Sequence, residues 1–294
     1  MTSLIGELKK LGFSPKRSFG QNFLIDKKVA GEVVRLANVE PEDIVVEIGP
    51  GMGALTFHLI PRAKKVVAVE LDGEMVKYLR EKGEGFASLV VVHRDALQFD
   101  FRDLAQQEGR KIKVVANLPY NISTPIIFRL LECRDALAYA TLMLQQEVAQ
   151  RITSAAGSRD YGPLSIFVQL YTSPKILMRV PSQAFYPPPK VESALVGFEI
   201  LPRPRVDIAD VEFFRAVVRA SFAQRRKTIL NSLVGSPFCP GSRQQIRGVL
   251  EAVGIGPRRR AETLDLEEFK RLAEALGKLG KGTDSVSATK QGVV

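Results

Sequence analysis

The chain has 294 residues and a formal net charge of +10, with apolar and charged fractions in the usual range for a folded protein. This length suffices for one large domain plus a small one, and the composition excludes collagen-like, low-complexity and disulfide-dense chains. No run of about eighteen residues is apolar throughout, which argues against a membrane-spanning helix. The opening stretch Met1–Lys10 lacks an apolar core followed by a cleavage site, so the expected location is the cytoplasm. Cys133 and Cys239 are far apart, and His58 and His93 are the only histidines, so free thiols and no metal site are expected. The positive charge points to a polyanionic partner. It concentrates toward the C-terminus, where residues 201–276 carry 14 Lys/Arg against 9 Asp/Glu.

In chain order, β-branched runs at Ile44–Ile48, Val66–Leu71, Leu89–Val92, Lys113–Ala116, Thr141–Leu144, Lys175–Val180 and Ala194–Ile200 read as strands. Amphipathic segments such as Gly73–Glu84 and Thr124–Cys133 lie between them. Strands and helices alternating at this spacing predict an α/β fold, a parallel sheet covered on both faces. The last two strand runs are joined by a proline-rich loop, which allows an antiparallel edge. After a Pro/Arg linker at Leu201–Val206 the pattern becomes helical, with predicted helices at Val211–Phe222, Arg226–Leu233, Arg243–Val253 and Glu262–Leu276. The expected organisation is a large domain at 1–202, a small all-helical domain at 207–276, and a disordered tail at 277–294.

The strongest local signal is Val45-Val46-Glu47-Ile48-Gly49-Pro50-Gly51-Met52-Gly53-Ala54-Leu55-Thr56, a buried strand entering a glycine-rich turn and then a helix. Glycines such as Gly49 and Gly51 permit the tight turn and let a ligand approach the backbone. Glu70 ends the next strand, where a carboxylate can accept hydrogen bonds from both hydroxyls of a ribose. The pair indicates a nucleoside-bearing cofactor. The third glycine comes one residue earlier than in a dinucleotide fingerprint, and the acid Glu47 precedes the loop. Both features suit the cationic S-adenosylmethionine better than a pyrophosphate. Asp95, after the third strand, reads either as an acceptor for an adenine amine or as a helix cap.

Asn117-Leu118-Pro119-Tyr120 follows the fourth strand, at the carboxyl end of the sheet where ligands bind in open α/β folds. It suits methyl transfer to an adenine amine. That nitrogen is a poor nucleophile because its lone pair is delocalised into the ring. Acceptors that hold its hydrogens, here the Asn117 side-chain oxygen and the Leu118 carbonyl, turn the lone pair toward an incoming methyl group. Pro119 fixes the chain direction and Tyr120 offers a ring for the base to stack on. Phe185, heading Phe185-Tyr186-Pro187-Pro188-Pro189, reads equally as the other face of a base sandwich or as core. Arg225-Arg226-Lys227 is expected to start a helix and grip phosphates, with Arg258-Arg259-Arg260 able to do the same; the alternative is a solvated face.

Taken together, these segments resemble the bacterial small-subunit ribosomal RNA adenine dimethyltransferase family. The matching pieces are Phe19-Gly20-Gln21-Asn22-Phe23-Leu24, the glycine loop with Leu55-Thr56, Glu70, Asp95-Ala96-Leu97 and Asn117–Tyr120. Further matches are Leu144–Ala149, Tyr161–Ser165, Phe185 with its prolines, and Arg225–Thr228. The resemblance covers roughly residues 10–275. It implies a Rossmann-like class I methyltransferase domain followed by a small helical RNA-binding domain. It also implies dimethylation of two adjacent adenosines in the 3′-terminal hairpin loop of 16S rRNA, in a 30S or pre-30S particle, leaving S-adenosylhomocysteine. By motif position, Asn22, Leu24, Gly49, Glu70, Asp95 and Asn117 contact the cofactor. Pro163 and Ile229 depart from the family's usual residues, away from the chemistry. Rival readings are the sister enzymes that methylate large-subunit rRNA, a non-catalytic assembly factor, and a dinucleotide oxidoreductase. Monomer is the default expectation.

Overall fold

The computed structural model describes residue 6, residues 21–239 and residues 241–287, with side chains followed to Leu279 in the last helix. Phe19 and Gly20 of the matching N-terminal motif, and the final residues of the expected tail, 288–294, lie outside the described residues.

The strands in chain order are β1 (Phe23–Leu24), β2 (Ile44–Ile48), β3 (Lys65–Glu70), β4 (Leu89–His93), β5 (Ile112–Asn117), β6 (Leu137–Gln145), β7 (Thr172–Val180), β8 (Phe185–Tyr186) and β9 (Ser193–Ile200). Seven of them form one sheet in the order β4-β3-β2-β5-β6-β9-β7. The first five are parallel, and β9 runs antiparallel to both β6 and β7. All seven expected strand runs are present, and the proline-rich loop does introduce the antiparallel edge. Ile44-Val45-Val46-Glu47-Ile48 is buried at every position, the acid Glu47 included, as expected where helices cover both faces of a parallel sheet. β1 and β8 form a separate antiparallel pair, with Leu24 opposite Phe185.

Register sets where the site lies. Ile48 is opposite Val69 on β3 and Ala116 on β5, and Glu70 is opposite His93. The residues that follow β2, β3, β4 and β5 therefore emerge along one carboxyl edge.

The chain divides into two compact units. The first contains the sheet, from the described residues up to Gln150 and from Tyr171 to Leu201. The second contains Arg151–Leu170 and everything from Pro202 onward. This differs from the expected boundary, because Arg151–Leu170 packs with the C-terminal helices. The reason is aromatic: the Tyr161 ring meets Phe222 edge-on at 6.4 Å between centroids, and Phe222 stacks on Phe269 at 5.9 Å. A single sequence reveals the apolar residues of 161–171 but not which side they bury.

The second unit holds helices at Val211–Phe222, Ile229–Leu233, Arg243–Ala252 and Leu266–Ser287. Asp210 caps the first through the Phe213 N–H, and Ser242 with Gln245 forms a capping box on the third. Two expectations change. The segment expected as a helix from Arg226 starts at Ile229 instead, because Thr228 adopts an extended cap conformation and accepts from the Asn231 N–H. The tail expected to be disordered from Gly277 continues the last helix to Ser287. Leu279 extends the Leu272–Leu276 stripe by one turn and lies close to Gly241, and Gly277 lies close to the Phe213 ring. Tertiary contact there overrides the low helix propensity of glycine. No helix among the described residues is long and apolar enough to cross a membrane.

Phe269 is fully buried beneath that aromatic stack. Phe269→Ala should lower stability by roughly 3–5 kcal/mol, read as a shift in the denaturant midpoint. A loss below about 1 kcal/mol would show that the stack does not anchor this unit.

Candidate active site

The turn after β2 uses backbone conformations that side chains resist. Gly51 has φ +55°, and a Cβ there would sit 2.9 Å from the Phe23 ring. Gly53 has φ +79°, and a Cβ there would sit 2.5 Å from Phe57. Glycine at these two positions lets the turn fold tightly against its neighbours.

The turn is tied to the next strand by Glu70. Its Oε2 accepts from the Gly51 N–H at 3.0 Å, and its Oε1 accepts from the N–H groups of Leu71 and Asp72 at 2.8 and 2.9 Å. Glu70 is only 7% exposed, and burial raises its pKa against the lowering effect of those three donors. Glu47 lies deeper, at 1% exposure, and accepts from the Thr56 hydroxyl at 2.6 Å. Burial pushes its carboxyl up to about 8, with the nearby Glu70 charge acting in the same direction.

On the far side of the turn, a Cβ on Gly49 would lie 3.9 Å from the Pro119 ring, so the glycine loop and Asn117-Leu118-Pro119-Tyr120 are neighbours. The Asn117 amide nitrogen donates to the Asn22 carbonyl at 3.0 Å. That partner accepts only, so the nitrogen must face it and the amide oxygen is the group left to accept from a ligand. The Pro119 carbonyl accepts from the Ile122 N–H, and the Tyr120 carbonyl from the Ser123 hydroxyl. The Leu118 carbonyl between Asn117 and Pro119 takes no hydrogen bond among the described residues. The Tyr120 hydroxyl is bonded to the buried Ser193 Oγ at 2.7 Å, which fixes the ring; burial raises its pKa and keeps it neutral.

One open cleft at the carboxyl edge is lined by Asn22, Leu24, Gly49, Gly51, Glu70, Asp95, Asn117, Leu118, Pro119 and Tyr120. Asp95 fits both of its sequence readings: it caps a short 3₁₀ turn through the Leu97 N–H at 2.9 Å and also lines the cleft. Phe185 is a correction. It is 2% exposed, packed with Leu24, Ala30 and Val33, and absent from the cleft, so it does not sandwich a base with Tyr120. Its pairing across from Leu24 turns the ring into the core. Sequence reasoning missed Leu71, half-exposed on the cleft wall, and Arg94. Their only signal is that each directly follows a strand end. Arg225, Arg226 and Lys227 belong to the second unit, as an exposed turn rather than a helix start. Arg259 is paired with Glu268 and holds Thr263, so Arg258-Arg259-Arg260 is not a uniform phosphate grip.

The donor set selects the ligand class. Glu70 and Asp95 line the cleft against one cation, Arg94, with the protonated Glu47 carboxyl beside them. A pyrophosphate would meet repulsion here, whereas a nucleoside bearing a sulfonium and an ammonium fits.

A family model for ribosomal RNA adenine dimethylase matches residues 12–274. The chain belongs to this family. It is an S-adenosylmethionine-dependent ribosomal RNA methyltransferase by that membership, and the cleft chemistry agrees. Ribosomal RNA small subunit methyltransferase A of Pelotomaculum thermopropionicum is 45% identical over 276 residues, covering 91% of this chain and 93% of the relative. The protein of the same name from Geobacillus thermodenitrificans is 44% identical over 273 residues, covering 92% and 93%. Among solved structures, a dimethyladenosine transferase from Plasmodium falciparum superposes with a TM-score of 0.71 at 29% identity, covering 87% of this chain and 97% of that one. The 23S rRNA methyltransferase ErmE gives 0.66 at 28% identity, covering 87% and 100%. For this dimethylase-family chain the oxidoreductase reading is set aside.

Glu47 makes pH a probe of the cleft. Its folded pKa of about 8 lies above the ordinary carboxyl value, so the folded chain holds a proton that the unfolded chain releases. This contribution to stability is full below about pH 4.5 and is lost as pH rises through about 8. Glu47→Gln still accepts from Thr56 but cannot ionise. Its melting temperature relative to the native chain should therefore climb between pH 5 and about 8.5. A difference that does not change with pH would return the Glu47 carboxyl to the ordinary range.

Proposed function

We propose that this chain transfers methyl groups to the N6 amines of two adjacent adenosines in the 3′-terminal hairpin loop of 16S rRNA. It acts in the cytoplasm on a 30S or pre-30S particle during late small-subunit assembly. The observation that carries the reading is that the caged Glu70 carboxylate and the Asn117-Leu118-Pro119-Tyr120 turn line the same cleft.

S-adenosylmethionine, when bound, supplies an electrophilic methyl group on a positively charged sulfur and leaves as S-adenosylhomocysteine. Glu70 accepts from the ribose hydroxyls, Asp95 from the adenine amine, and Asn22, Leu24, Gly49 and Gly51 form the surrounding wall. Toward the substrate base, the Asn117 Oδ1 and the Leu118 carbonyl accept the two N6 hydrogens, which turns the nitrogen lone pair out of conjugation. Both acceptors also face the positive charge that grows on nitrogen as the new bond forms. Tyr120, held by Ser193, stacks on the base. The nitrogen attacks while still neutral and loses a proton to water after the transfer, so no general base is needed. The second methylation starts from a nitrogen with one hydrogen, for which one acceptor suffices.

Labelled S-adenosylmethionine with undermethylated 30S particles, and 50S particles in parallel, should give dimethyladenosine from 30S alone. Label in 50S would transfer the chain to the large-subunit branch. Asn117→Ala should retain the native melting curve and lose about 100-fold or more of the transfer rate. Transfer near the native rate would remove Asn117 from the chemistry.

A further inference from the structure

Three segments distant in sequence meet within the second unit: the loop at 154–160, the turn at 223–227 and the loop at 256–263. Two of the three pairs are joined directly by a hydrogen bond, and the third by one from Ile229, two residues past the turn. The Gly157 N–H donates to the Glu262 carbonyl at 2.7 Å. The Arg225 guanidinium donates to the Arg159 carbonyl at 2.8 Å. The Ile229 N–H, just past the basic turn, donates to the Arg259 carbonyl at 2.7 Å. Inside the first loop, the Ser158 hydroxyl donates to the Ala155 carbonyl at 2.7 Å. The segments form a closed ring of contacts, so each backbone is anchored from two sides.

The charges on this ring differ in use. Arg259 is paired with Glu268, and Arg260 faces Glu262 at 3.9 Å. Arg159, Arg226, Lys227 and Arg258 are exposed, and among the described residues none of them pairs with a carboxylate. The other acid on these segments is Asp160, next to Arg159. Cations carried on an anchored backbone avoid the loop-ordering part of the binding cost when they meet a polyanion and pay only for their side chains.

We infer that Arg159 contacts RNA phosphates, on a common surface with Arg226, Lys227 and Arg258, and that Arg225 acts as a positioning residue for it. The inference rests on the RNA substrate proposed above. Arg225 adds its own charge, but its guanidinium is spent on the backbone carbonyl of Arg159 and thereby fixes where the Arg159 side chain starts. Arg159 lies in the segment that sequence reasoning assigned to the other domain, so nothing in the sequence links it to the basic turn.

The test is equilibrium binding of the full chain to undermethylated 30S particles across a potassium chloride series. Arg159→Ala should weaken binding by about threefold to tenfold at moderate salt and flatten the logarithmic salt slope by about one, whereas Arg159→Lys stays near the native chain. Arg225→Ala should flatten the slope by about two, and adding Arg159→Ala to it should change little further. Native affinity and slope in Arg159→Ala would remove this residue from the surface. Additive effects of the two substitutions would remove the positioning role of Arg225. S-adenosylmethionine affinity, measured by calorimetry on every variant, should be unchanged. Methylation by the native chain separates the two proposals. If 30S is bound but not methylated, the proposed activity fails and this surface stands. If methylation is normal while Arg159→Ala binds natively, this surface alone fails.

Discussion

A carboxylate almost wholly removed from water organises the carboxyl edge of this sheet. Glu70 is stable there because three backbone N–H groups converge on it, one from the glycine turn and two from the residues that follow β3. Burying an acid without such donors would cost several kcal/mol or neutralise it. The donor from the glycine turn is the N–H of Gly51, which takes a left-handed conformation and sits against the Phe23 ring. The glycine turn, the acid and the N-terminal segment are thus joined in one arrangement.

The same N-terminal segment also reaches the Asn117–Tyr120 turn on the other side of the cleft. Gln21 donates to Asp72, beside the Glu70 turn, while the Asn22 carbonyl receives the Asn117 amide. Phe23 and Leu24 are held by strand pairing to Phe185 and Tyr186. Asn117 is therefore oriented by a group 95 residues earlier in the chain, and the acceptor role proposed for its oxygen depends on that contact. Phe185 serves this arrangement from the core, as the partner of Leu24, rather than from the cleft.

The basic residues follow a parallel logic. A run of cations says little by itself, since solvation is the usual fate of such runs. Arg259 illustrates this, its guanidinium being held by Glu268 and Thr263. What separates a structural cation from one available to a polyanion is the set of partners around it, and those partners come from three separate stretches of the second unit.

Much of the architecture was legible in the residues alone. Unbroken β-branched runs mark buried parallel strands. The glycine turn with Glu70 and the Asn117-Leu118-Pro119-Tyr120 turn, both singled out by their residues, line one cleft. These are local signals, because strand burial, turn conformation and the chemistry of a strand end are set by neighbouring residues. The tertiary structure alone decided that Phe185 is core, that Arg151–Leu170 packs with the C-terminal helices, that the last helix continues past Gly277, and that Arg225 braces Arg159. Each of these outcomes turns on which distant surface an apolar ring or a donor meets, and chain order does not encode that pairing.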